Sequence, residues 1–146
     1  MSSYTVENII ESFPNSSIPI IEGEPTCSTL RHNEKLLIEN SSSIQSTLGG
    51  GNYGYLGLIL KPAKYQTVTG HQFQPHPNPG ALPVIPHGTT QHQILSANVQ
   101  HKESLRLWRE QNIIIKALKN QLTGSVDKKY IADLYETYTG YNNVSI

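Results

Sequence analysis

Cysteine is almost missing from this chain, since Cys27 is the only one among 146 residues. A single thiol cannot form a disulfide framework, and it cannot build a zinc knuckle or finger, which needs several ligands at fixed spacing. Secreted disulfide scaffolds and cysteine-based zinc modules are therefore excluded. We expect an intracellular, cytoplasmic protein.

Long apolar runs and an excess of one charge are also absent. No apolar span approaches the roughly 20 residues of a membrane helix, and the first residues show no basic-then-apolar signal. Eleven basic residues balance eleven acidic ones. No global field then draws the chain to nucleic acid or to an anionic membrane, and we expect no membrane partner.

Prolines and glycines divide what remains into helical pieces. Val6, Ile9, Ile10 and Phe13 share one face of a short segment that Pro14 ends, and residues 16–25 look extended. We predict an extended or marginally helical arm over residues 1–25. Residues 26–146 are predicted to form one mainly α domain, long enough to bury a core.

A first helix is predicted from about Ser28 to Leu48, with Thr26 or Ser28 as its N-cap. Five glycines follow within nine residues, and Gly49 is the predicted C-cap of the helix. Gly54 and Gly57 are predicted close-approach positions, so valine at either should destabilise the fold. We interpret the run as a structural Gly-rich turn that includes Gly49, Gly50, Gly51, Gly54 and Gly57.

The glycines also match the letters G-x-G-x-x-G of a dinucleotide site. That site needs a strand before the glycines, a helix after them and an acidic residue about 20 positions on. A helix is predicted before the run, and the downstream neighbourhood Phe73–His76 contains no acid. The structural interpretation is therefore preferred, with no cofactor and no small-molecule substrate.

A short helix is predicted from Pro62 to Val68, ended by Gly70. Residues 71–88 then hold five of the nine prolines, which favours a long Pro-rich loop inside the domain. Loops of this length inside a compact domain tend to be functional. The candidate partner-facing residues are Pro75, Pro77, Pro79, Gly80, Pro83 and Pro86.

Thr90 and Gln93 have capping-box spacing and open the longest periodic pattern of the chain. This helix is predicted to break or bend near Asn112 and to stop at Gly124. Its apolar stripe comprises Ile94, Ala97, His101, Leu105, Trp108, Ile115, Leu118 and Leu122. A last helix, capped by Asp127, is predicted to turn Tyr130, Ile131, Leu134 and Tyr138 inward and to end at Gly140.

No arrangement of residues argues for an enzyme. The histidines fit no metal-ligand spacing, and His101 is expected to be a hydrogen-bonded core residue. Cys27 is expected to be a small buried residue and not a nucleophile. The carboxylates are accounted for by caps and solvent-facing positions, so we predict no catalytic and no metal-binding residue.

Several short stretches follow one another in a distinctive order, namely Ile21-Glu22-Gly23-Glu24-Pro25-Thr26, Leu48-Gly49-Gly50-Gly51, Gly54, Leu56-Gly57-Leu58, Pro79-Gly80, Thr89-Thr90, Ala117-Leu118-Lys119-Asn120-Gln121-Leu122, Tyr130 and Thr139-Gly140-Tyr141. Together they resemble the N-terminal part of Gag-like proteins from Copia-type LTR retrotransposons of algae and protists. The resemblance covers most of residues 18–146, and its glycine segment is the most specific element.

This resemblance implies a helical capsid-like domain that packs against copies of itself and encloses the RNA of the element. The family pattern continues beyond Ile146 and includes a Cys-x-x-Cys knuckle that is not found here. We therefore expect contact with RNA to be indirect or to need a further C-terminal region. The chain could belong to an active element or to a truncated or relic copy of one. The alternative is a protein-interaction module that presents the Pro-rich loop to a partner.

Overall fold

The computed structural model describes residues 5–44, 53–81 and 86–132, and in these ranges the chain is mainly helical, with no strand. This confirms the predicted mainly α class. The described part contains four α-helices and two 3₁₀ turns, Leu56–Leu58 and Lys128–Tyr130. The α-helices are α1 (Val6–Ser12), α2 (Cys27–Ser43), α3 (Pro62–Thr69) and α4 (Gln91–Gly124).

The chain forms two compact units. The first, here called the core unit, comprises Met1–Gln74 and Ile113–Ile146. The second, called the loop-helix unit, is Pro75–Asn112. Helix α4 contributes residues to both, and it runs without the interruption predicted near Asn112.

Threonine side chains cap the N-termini of three of the helices. Thr5 accepts a hydrogen bond from the backbone N–H of Asn8 at the start of α1. Thr26 forms a capping box with Thr29 at α2. The capping box predicted for α4 is confirmed, because Thr90 and Gln93 each bind the other's backbone N–H at 3.2 Å. These bonds satisfy amide groups that have no partner inside a helix.

Helix α2 ends earlier than predicted, at Ser43, with Ile44 as an extended C-cap. The prediction that Gly49 is the C-cap is therefore wrong, and Gly49 itself lies outside the described residues, with Gly50 and Gly51. The three serines of the last turn, residues 41–43, each donate a hydroxyl hydrogen bond to a carbonyl three positions earlier. Such bonds compete with the helical ladder and favour its termination.

Helix α3 agrees closely with its prediction. Pro62 occupies its first turn, and Gly70 ends the helix as predicted, with the left-handed φ of 77° typical of a C-terminal glycine, although the last helical residue is Thr69 instead of Val68. The predicted last helix begins differently, since Asp127 caps a 3₁₀ turn over Lys128–Tyr130. Its other predicted residues, Leu134, Tyr138 and Gly140, lie outside the described residues.

The core unit has a continuous apolar centre. Residues from the predicted arm belong to it, because Ile9 and Phe13 are only 4% exposed and pack with side chains of α2 and α4. From α4, the buried face is set by Ile114, Ala117 and Leu118, whereas the predicted Ile115 is half-buried. The buried members of the cluster are Ile9, Phe13, Leu37, Tyr55, Ile114, Ala117 and Leu118.

A buried amide network joins the segment after α1 to α2 and α4. The Asn40 carboxamide binds both the N–H and the carbonyl of Asn15, each at 2.9 Å. Gln121 donates to the same carbonyl at 3.0 Å and accepts from Asn40 at 2.9 Å. Further along, Ile21 donates its N–H to the carbonyl of Ser125 at 2.7 Å. Irregular backbone can enter the core here because its polar groups are satisfied.

Within the described residues, no helix is long and apolar enough to cross a membrane.

Candidate interaction surface

Gly54 lies in the turn that packs against the end of α2. It is buried, with a φ of 54°, and an added Cβ would lie 2.6 Å from the Ser42 carbonyl oxygen and closer still to that of Ile44. The next residue, Tyr55, donates its N–H to the Ser41 carbonyl at 2.8 Å. The turn therefore satisfies the Ser41 carbonyl at the end of α2, and only a residue without a side chain permits the close approach at Gly54.

Gly57 is required for a different reason. Its Cβ would overlap the ring of Phe73, which packs edge-to-face on Tyr65 with centroids 5.4 Å apart. Tyr65 has no exposed surface, and burial raises the pKa of its hydroxyl. The space beside Gly57 is thus filled by aromatic side chains of the same unit, which is a packing role.

The described part of the glycine region lacks the geometry of a dinucleotide site. The element before it is α2, and the element after it is the 3₁₀ turn Leu56–Leu58 instead of a helix that could present its N-terminus to phosphates. Neighbouring atoms of the core unit fill the space beside Gly54 and Gly57, which leaves no room there for a ligand.

The Pro-rich loop is held against α4 within the loop-helix unit. Gln111, which is 5% exposed, accepts the N–H of His76 at 2.8 Å and donates to the carbonyl of the same residue at 3.2 Å. One carboxamide thus pairs with both backbone groups of one residue, as a neighbouring strand would. Sequence reasoning missed Gln111, because nothing in its spacing marks a helix glutamine as a partner for a distant loop.

A second contact holds the loop four residues further on. The Nε2 atom of His101 lies 2.9 Å from the carbonyl oxygen of Gly80, and Gly80 donates its N–H to the Asn78 side chain. His101 is half-buried. It is hydrogen-bonded as expected, but the expectation of a core histidine is wrong because its partner is this exposed loop.

The predicted partner-facing residues differ in exposure. Pro75, Pro77, Gly80 and Pro86 are exposed, whereas Pro79 is half-buried. Pro83 lies outside the described residues. The prolines on either side of the Gln111 contact therefore remain open to solvent while the backbone between them is fixed.

The first part of α4 carries apolar side chains that have no core of their own. No residue of the described parts of this unit, 75–81 and 86–112, is a buried apolar side chain. Leu95 and Val99, one helical turn apart, are 56% and 66% exposed, and Trp108 is half-buried. Leu95 and Val99 together are called the α4 ridge below.

Charged side chains are missing from the stretch of sequence that contains this ridge, and they resume one helical turn after Val99. From Tyr65 to His101 the sequence contains no Asp, Glu, Lys or Arg, although it holds five of the six histidines. Charged side chains begin again at Lys102, and Arg106 forms ion pairs with Glu103 at 2.6 Å and with the buried Glu110 at 3.2 Å. Hydrogen bonds from Arg106 lower the pKa of Glu103.

Other sequence candidates are dispersed. The described residues contain no group of three or more His, Cys, Asp or Glu side chains that could hold a metal ion. Cys27 is exposed at the start of α2, so the expectation of a buried thiol is wrong. The apolar pattern of α2 turns Leu37 inward and leaves its first turn in solvent.

Comparisons with protein-family models, with curated proteins and with solved structures find no match for this chain.

Proposed function

We propose that this protein is a structural, self-associating helical domain of the capsid type, without enzymatic activity. This is the role implied by its resemblance to Gag-like proteins of Copia-type retrotransposons. The observation that carries the proposal is the α4 ridge, where Leu95 and Val99 are exposed on a unit with no buried apolar side chain in its described parts. Exposed apolar groups on a small unit of this kind favour a protein partner.

A second copy of the chain fits this surface because of its charge. When two copies meet through the same patch, a charged side chain of one copy lies close to the identical side chain of the other. The two repel each other unless a residue of opposite charge lies between them. The stretch from Tyr65 to His101 has no acidic or basic side chain other than histidine, so near neutral pH this stretch itself adds no such repulsion. Charges begin only one turn beyond Val99, where Lys102 and Glu103 have opposite signs. Depletion of charged residues is also typical of the centre of protein interfaces.

The same composition bears on RNA. Affinity for RNA depends on Lys and Arg side chains that neutralise phosphates, and the stretch from Tyr65 to His101 contains neither. The proposal therefore assigns this surface to contacts between copies. Contact with the RNA of the element remains a prediction for another part of the assembly.

Sedimentation velocity over a range of protein concentrations tests the proposal. We expect the wild-type protein to associate, weakly and progressively, up to on the order of 0.5 mM, as contacts repeated in a shell would. The double variant Leu95→Glu/Val99→Glu should remain monomeric while keeping its helical circular dichroism.

The matched control is Ser96→Glu/Gln100→Glu, which adds the same two charges to exposed positions one residue along α4. Because successive residues of a helix are about 100° apart, these charges lie beside the ridge and not on it. The control should associate much more strongly than the ridge variant. A wild-type protein that stays monomeric throughout, or equal loss in both variants, would overturn the assignment.

A further inference from the structure

Prolines occupy every second position from Pro75 to Pro79, and the sequence forces this segment to be extended. Each proline has its φ fixed near −65°, and a residue that precedes proline is biased away from the helical region. His76 and Asn78 are both followed by proline, so every residue of Pro75–Pro79 is restricted in one of these ways. This segment is called the proline strip below.

Hydrogen bonding gives the proline strip an inner and an outer side. The N–H and carbonyl of His76 both bind the Gln111 carboxamide. The two residues that flank this contact, Pro75 and Pro77, are exposed and have no N–H to donate. They form the outer edge of the strip.

This outer edge selects a particular kind of partner. Another strand cannot pair along it, because ladder pairing needs donors as well as acceptors, and proline at an edge blocks it. Exposed proline rings and carbonyl acceptors are instead complementary to grooves lined by Trp and Tyr, whose rings pack on proline and whose N–H or O–H groups donate. The restraint by Gln111 also lowers the entropy lost on binding.

We propose that the proline strip is the ligand of a second protein that carries an aromatic-lined groove with tryptophan or tyrosine donors. This interaction is separate from association between copies, which uses the α4 ridge. The proposed occupant is a different protein, since the exposed proline rings and carbonyl acceptors of the strip are complementary to a groove of several aromatic side chains, and the single tryptophan of this chain, Trp108, is half-buried on α4.

A binding array tests the proposal with the full chain. The probes are purified aromatic-groove domains of the WW and SH3 types, and affinities are measured by fluorescence anisotropy of the labelled protein. We expect at least one probe to bind, and we expect Pro75→Ala/Pro77→Ala to weaken that binding about tenfold or more. Pro86→Ala, at an exposed proline outside the strip, is the matched control and should bind like wild type.

Three outcomes would overturn the inference. One is that no probe binds the wild-type chain, and another is that Pro75→Ala/Pro77→Ala binds as well as wild type. The third is that Leu95→Glu/Val99→Glu abolishes probe binding while the proline variant retains it. Sedimentation of Pro75→Ala/Pro77→Ala separates the two proposals, since self-association should persist in this variant whether or not a probe binds.

Discussion

The two units of this protein are stabilised in different ways. The core unit buries apolar side chains such as Phe13, Leu37 and Leu118 around a satisfied amide network. The described parts of the loop-helix unit bury no apolar side chain and rely on two side chains, Gln111 and His101, to hold a proline-rich segment. The core unit is therefore stabilised by its own apolar packing, whereas the described parts of the loop-helix unit leave apolar and proline surface exposed to solvent and available to partners.

The largest effect is expected at Gly54. Valine there meets the backbone of residues 42 and 44, which cannot move without breaking the end of α2. We expect Gly54→Val to lower the free energy of unfolding by at least about 3 kcal/mol, and Gly57→Val, which displaces the Phe73 side chain, by somewhat less. Urea denaturation followed by circular dichroism measures both.

Two other glycines serve as controls for these variants. Gly23 has a φ of 72° and Gly124 does not have a positive φ, and a Cβ at either would meet no atom within 4 Å. Gly23→Val should therefore lower the free energy of unfolding by about 1 kcal/mol, through the strain of a positive φ alone. Gly124→Val should lower it by less than Gly57→Val does. If all four variants unfolded at similar urea concentrations, close packing would not explain the glycine turn.

The amide network should give the next largest effect. Asn40→Ala removes the partner of both backbone groups of Asn15 and one partner of Gln121. Because buried groups left without a hydrogen bond are costly, we expect a loss of about 2–3 kcal/mol in the same assay. Asn120→Ala, at an exposed asparagine of α4, should change stability by less than about 0.5 kcal/mol. Equal effects would mean that the network adds little to the core unit.

A smaller and more local effect is expected in the loop-helix unit. Gln111→Ala removes the side chain that holds His76, yet it disturbs no apolar core. We expect a loss of about 1 kcal/mol or less in global stability, together with faster hydrogen exchange of the His76 amide. The exposed Gln100→Ala is the control. If Gln111→Ala lowered the free energy of unfolding as much as Asn40→Ala does, the two units would not differ in how they are stabilised.

The smallest effect concerns pH. Burial lowers the pKa of His76, and Arg106 acts in the same direction, whereas Glu110 opposes both. Because the folded state disfavours the protonated ring, the contribution of neutral His76 is complete above the unfolded pKa of about 6.5 and is lost as pH falls through the lower folded value.

Nuclear magnetic resonance of the imidazole protons tests this expectation. The His76 resonance, assigned through His76→Gln, should titrate at a lower pH in the native protein than in the same protein in urea. A native midpoint at or above the denatured one would contradict the described environment of His76.

Several parts of the fold could be predicted because their causes are local. The start of α4 follows from Thr90 and Gln93, and the end of α3 follows from Gly70, since caps are set by residues within one turn. The end of α2 could not be predicted from periodicity, because Ile44 and Leu48 continue the apolar pattern while the serines and the Tyr55 N–H terminate the helix.

The candidate surface was only partly predictable. The proline pattern marked residues 71–88, but the contacts of Gln111 and His101 join residues distant in sequence, which spacing alone does not reveal. The exposure of Leu95 could not be predicted from the sequence for a related reason. Apolar periodicity shows that a helix has an apolar face, and it does not show whether the chain supplies a partner for that face.

The helical class, the start of α4, the end of α3 and the extended, donor-poor character of the proline strip follow from the sequence alone, because they depend on restrictions within a few residues. The tertiary structure was needed to show which helix face is buried, which neighbours approach Gly54 and Gly57, and that Gln111 restrains the loop. Burial and long-range hydrogen bonds depend on which residues, distant in sequence, come into contact, and local propensity does not specify those contacts.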